Sequence, residues 1–90
     1  MTPSTRIRRK LTEALAPTRL VISDDSARHL GHGGHHADGE SHFQLTVVSA
    51  AFEGQAWVAR HRMVYDLLSE ELAGQVHALA LRTLTPAEDA

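Results

Sequence analysis

Cysteine is absent from the sequence. Disulfides, thiolate nucleophiles and thiolate metal ligands are excluded together, and any metal must be held by His, Asp or Glu. No apolar run approaches the roughly 20 residues that cross a bilayer, so no transmembrane helix and no membrane partner are expected. The basic residues after Met1-Thr2-Pro3-Ser4 are not followed by an apolar segment. A secretory signal is therefore not read, and a cytoplasmic location is expected. Neither a G-x-S-x-G elbow nor a P-loop occurs. Ser and Asp lie near several histidines, but without apolar walls to position them. The expectation is a binding module and not an enzyme.

What is present fits one small globular domain spanning residues 1–90. The chain is 42% hydrophobic and 22% charged. A domain of this length buries roughly 60–65% of its unfolded surface, which leaves little room for both a core and a deep cleft. The net charge of −2 conceals an asymmetry. Arg6, Arg8, Arg9, Lys10 and Arg19 face a single acid, Glu13, within the first 19 positions. A solvated helix face is the ordinary reason for such a cluster; a nucleic-acid contact is the functional alternative.

Thr2 can cap a helix with Pro3 at its first position. Ile7, Leu11, Ala14 and Leu15 recur at helical spacing, and Pro17 stops the run, which predicts a helix over 3–16. Arg19 to Ser23 is a β-branched run ending in turn formers, hence a strand. Residues 26–41 hold four glycines and many histidines without apolar periodicity, and are expected to form a mobile loop. His42 to Ser49 reads as a second strand with Phe43, Leu45 and Val47 on one side. Trp57 to Ala73 reads as a helix with Val58, His61, Val64, Leu68 and Leu72 inward, and Gly74 fits the position just past its end. Val76 to Thr83 reads as a third strand. Thr85-Pro86-Ala87-Glu88 is a capping box with almost no helix after it, and residues 84–90 are expected to fray. The predicted fold class is α+β, in the order α-β-β-α-β. Strands one and two pair antiparallel, the third joins in parallel after the helical crossover, and the helices cover one face.

Specific motifs begin at Phe52. The chain reads Phe52-Glu53-Gly54, Arg60-His61-Arg62-Met63-Val64-Tyr65, Glu70-Glu71-Leu72 and Val76-His77-Ala78-Leu79-Ala80-Leu81, with Glu40-Ser41-His42-Phe43 ahead. From about Ile7 to Pro86 this resembles the BolA family. The resemblance implies a type II KH-like fold and a monothiol glutaredoxin as partner. It also implies a [2Fe–2S] cluster shared by the pair, in iron–sulfur cluster handling or iron and redox regulation. The cluster would not be tightly held by the isolated chain, which is expected to be a monomer or a weak homodimer. A second role implied by the family is DNA-binding transcriptional regulation.

The resemblance carries the C-terminal ligand onto His77 and the loop ligand onto His29. Where relatives often read V-P-x-G-S-E after that position, this chain runs Leu30-Gly31-His32-Gly33-Gly34-His35-His36-Ala37-Asp38-Gly39-Glu40. His32, His35 and His36 are therefore alternatives to His29. An isolated strand histidine is usually structural, and it is the resemblance that favours a ligand at His77. Imidazole suits iron, and replacing thiolate by His raises a cluster's potential. Loop histidines of this kind can equally be solvated, with incidental metal affinity. His61 is read as packed against the core and His42 as structural. Arg6, Arg9, Lys10, Arg60 and Arg62 form the candidate surface for nucleic acid or an acidic partner.

Overall fold

A computed structural model describes residues 2–24, 42–74 and 76–90. The first helix, α1, spans Pro3–Leu15. Thr2 caps it, its hydroxyl accepting from the Thr5 N–H at 3.3 Å. At the other end Ala16 takes the left-handed conformation (φ 43°), and its N–H donates to the Thr12 carbonyl. Pro17 then prevents continuation. Ile7, Leu11 and Leu15 are the buried stripe, spaced by four so that they share one side of the helix.

Strands β1 (Arg19–Asp24) and β2 (His42–Val48) pair antiparallel, with Leu20 opposite Val47 and Ile22 opposite Leu45. Strand β3 (Ala78–Leu84) lies parallel on the other side of β2, with Phe43 opposite Leu79, Leu45 opposite Leu81 and Val47 opposite Thr83. The sheet order is β1-β2-β3. The central strand is the one whose inward residues are all large and buried. Both pairings follow from connectivity: a direct link permits antiparallel neighbours, while a parallel neighbour needs the crossover.

A single 3-10 turn, Ala50–Phe52, follows β2. Ser49 fastens it from within: its hydroxyl donates to the Leu15 carbonyl at 2.6 Å and accepts from the Ala51 N–H. Phe52 is fully buried and drives this turn into the core. Gly54 then adopts φ 77°, a left-handed conformation that glycine enters without steric cost. An added Cβ there would touch nothing within 4 Å, so the demand for glycine is one of backbone conformation alone.

The crossover differs from the single helix expected over Trp57–Ala73. It is α2 (Trp57–Leu67) followed by α3 (Ser69–Ala73), with Leu68 between them at φ −104°, ψ 19°. Leu68 leaves helical geometry while its side chain stays in the core. Its inner face also starts a turn later than expected: Val58 is 68% exposed, His61 is only half-buried, and Arg60, Val64 and Leu68 line the buried side. The third strand starts at Ala78 and not at Val76, because the Val76 N–H is taken by the Glu71 carbonyl of α3 at 3.0 Å.

The core joins Ile7, Leu11 and Leu15 of α1, Val64 and Leu68 of the crossover, Phe52, Val76, and Phe43, Leu45 and Val47 of β2. Burying each large aliphatic side chain contributes roughly 1.5–3 kcal/mol, offset by the conformational entropy lost on folding. The last element, α4 (Pro86–Asp89), carries the expected capping box: Thr85 and Glu88 each bond the other's backbone N–H. In the structure α4 makes two ion pairs with the body, Arg60–Glu88 and Arg19–Asp89.

Candidate functional site

His42 is the first residue of β2, and its parallel partner is Ala78, the first residue of β3. His77, immediately before β3, is thereby brought beside His42. The two imidazole rings lie 6.4 Å apart, centroid to centroid, with planes 13° from parallel. His77 is exposed and His42 half-buried. The same end of the sheet holds Asp24, opposite Phe43, so the chain leaves the sheet at Asp24 and re-enters it at His42. His29, His32, His35 and His36 lie outside the described residues. His42 and His77 are far apart in sequence, and what links them is connectivity: two strands predicted to run parallel start together, each with a histidine at its start.

Among the described residues, no group of three His, Cys, Asp or Glu side chains is arranged to hold a metal ion. The described part of the site therefore offers imidazole nitrogens but not a complete ligand set.

The candidate basic surface is divided by the structure. Arg6 and Arg9 are exposed on α1, and Arg62 is exposed on α2. Lys10 is not offered to a partner: its Nζ donates to Glu71 at 2.9 Å and Glu70 at 3.4 Å, pinning α1 to α3. The hydrogen bond to Glu71 foremost, and the charges of both carboxylates, hold the Lys10 ammonium above its ordinary range.

Arg60 departs furthest from the expectation of a surface contact. Only 7% exposed, it donates from Nε to the Gln55 carbonyl at 2.8 Å, and from Nη1 and Nη2 to the two Glu88 carboxylate oxygens at 2.7 and 3.3 Å. Its guanidinium also lies 4.6 Å from the Trp57 ring centre. The cause is helix rotation: position 60 is in line with Val64 and Leu68, and the carboxylate it requires comes from α4. Its hydrogen bond, foremost, holds the Glu88 carboxyl below the ordinary carboxylate range. Asp89 is held low in the same way by Arg19. Around Arg62, the exposed side of α2 forms a shallow depression of about 350 Å³ lined with Val58, His61 and Tyr65.

The sequence matches the family described as BolA-like protein over residues 11–88. The chain belongs to the BolA family. Among BolA relatives it is 48% identical over 87 residues to SufE-like protein 1, chloroplastic/mitochondrial, of Arabidopsis thaliana, covering 92% of this chain and 24% of that protein. To BolA-like protein 1 of Mus musculus it is 48% identical over 82 residues, covering 91% and 57%. To the DNA-binding transcriptional regulator BolA of Escherichia coli K12 it is 46% identical over 80 residues, covering 89% and 72%. The chain thus spans about a quarter to just over half the length of the first curated relatives it matches.

The fold superposes on the solved structure of BolA1 from Arabidopsis thaliana with a TM-score of 0.85 at 44% identity, covering 98% of this BolA chain and 96% of that one. It superposes on the BolA domain of SufE1 from the same plant with a TM-score of 0.81 at 49% identity, covering 93% and 92%. No helix among the described residues is long and apolar enough to cross a membrane. Relatives include chloroplastic and chloroplastic/mitochondrial proteins, so family membership alone does not set the compartment.

Proposed function

We propose that this BolA chain is an adaptor that docks on a monothiol glutaredoxin and shares a [2Fe–2S] cluster with it. The observation that carries this reading is the exposed His77 imidazole at the end of the sheet, next to the point where the histidine-bearing segment 25–41 departs and returns. His77 supplies one nitrogen donor. His29 supplies the second, with His32, His35 and His36 as alternatives. The donor chemistry supports sharing: a chain without cysteine has no thiolate for iron, so the partner provides the sulfur ligands. When bound, the cluster supplies a transferable iron–sulfur unit and a redox centre. The chain's own task is to dock, present the imidazole and hold it in place.

The test is spectroscopic. The purified chain stays colourless with iron and sulfide supplied. Mixed with a cluster-loaded monothiol glutaredoxin, it forms a heterodimer with an altered visible spectrum, because imidazole replaces a thiolate. His77→Ala removes most of that change. Removal of all four loop histidines matches it, while His29→Ala alone does less. An unchanged spectrum with His77→Ala overturns the ligand assignment.

A second reading, DNA binding, is favoured by one relative, named as a DNA-binding transcriptional regulator, and by exposed Arg6, Arg9 and Arg62. It ranks below the first because Lys10 and Arg60 are engaged inside the protein. Its measurement is the dependence of duplex affinity on salt.

A further inference from the structure

Parallel register brings the starts of β2 and β3 together, and with them the His42 and His77 rings. A centroid separation of 6.4 Å falls within the roughly 4.5–7 Å over which aromatic rings pair. With planes 13° from parallel the two rings are stacked, which places His42 to support the His77 ring.

We propose that His42 is a positioning residue for His77. Its ring packs against the His77 imidazole and sets the direction in which the donor nitrogen points, without itself becoming a ligand. The order of control follows from anchorage. His42 belongs to the central strand and is half-buried, whereas His77 is exposed and precedes its strand. A side chain confined to one rotamer before binding does not lose that freedom on binding. Groups that orient a ligating histidine typically change metal affinity by about 10–100-fold. The inference rests on the reading of His77 as a ligand, but its first measurement does not require the cluster.

That measurement is made on the isolated chain by NMR. The Hα–Hβ couplings of His77 report one χ1 rotamer in the parent and in His42→Phe, which keeps a flat ring but has no donor nitrogen. They are averaged in His42→Ala. Identical couplings in His42→Ala and the parent overturn the proposal. With a cluster-loaded monothiol glutaredoxin, His42→Ala retains cluster about 10-fold more weakly, and His42→Phe restores parental retention and the parental visible circular dichroism. Equal loss in both variants makes His42 a donor and overturns the positioning role. If His42→Ala does not fold, His42→Val, a better strand former, takes its place. Should the parent itself form no heterodimer, the glutaredoxin reading falls, while the couplings still decide what His42 does.

Discussion

Single side chains in this protein divide into those that hold the fold and those that face outward, and burial separates them. Thr83 is fully buried opposite Val47, and its hydroxyl has no hydrogen-bond partner among the described residues. Thr83→Val keeps the shape and removes an unsatisfied polar atom. It is expected to raise stability by about 1 kcal/mol, read as a higher urea midpoint at unchanged slope. Phe52→Ala works in the opposite sense. It empties a fully enclosed site and is expected to cost about 3–5 kcal/mol, a large share of what a domain of this size has. Of the residues singled out from sequence, Arg6, Arg9, Arg62 and His77 do face outward. Arg60 does not, and nothing local announces it: its partner Glu88 lies far along the chain, and only the folded molecule joins them. His42 passed as structural for the same reason, since its significance is a neighbour across the sheet.

At the level of elements, the helical periods and strand alternations were legible in sequence to within a residue or two at most ends, because each has a clear stop. Pro17 ends α1, and Gly54 separates the 3-10 turn from α2. The break at Leu68 was not legible, since Leu67-Leu68-Ser69 contains neither glycine nor proline and continues the apolar period. It is a tertiary decision: Leu68 stays in the core while Glu71 of α3 meets Lys10 of α1. The attachment of α4 gives a pH-dependent expectation. Glu88 and Asp89 have folded-state values lowered by Arg60 and Arg19. Their contribution is therefore present above the unfolded carboxylate values of about 4, and is lost as pH falls through the lowered folded values. An NMR titration should show the amides of Ala87 to Ala90 moving toward random-coil shifts below that range, before those of β2. Simultaneous loss of both would mean that α4 has no separate release. Arg60→Ala should bring the release of α4 to higher pH.

For the whole molecule, the fold class and the mixed sheet follow from connectivity, which the sequence displays plainly. The surface electrostatics do not, because pairing cancels charges that a count leaves standing. Of the five basic residues among the first 19, Lys10 is matched by Glu70 and Glu71, and Arg19 by Asp89. Any duplex binding must then rest on fewer cations than the sequence offers. Affinity should fall with salt by roughly 0.9 in logarithmic slope per phosphate contact. Charge reversal at Arg6 and Arg9 should flatten that slope. Lys10→Glu should instead lower the urea midpoint, because it leaves the buried Glu71 beside a second negative charge. Equal effects on the slope from all three positions would contradict the division made by the structure.

The parallel seam between β2 and β3 also bears on how the molecule comes into being. Pairing β1 with β2 joins strands that follow one another, whereas pairing His42 with Ala78 closes a long span of chain that contains the α2–α3 crossover. Contacts between such distant positions are the slow part of folding, because loop closure must precede the contacts that stabilise it. The two histidine rings meet only when that step is complete. A chain caught earlier, with β3 undocked, carries both imidazoles but not their arrangement. If His77 is a donor as proposed, only a finished molecule presents it beside the His42 ring.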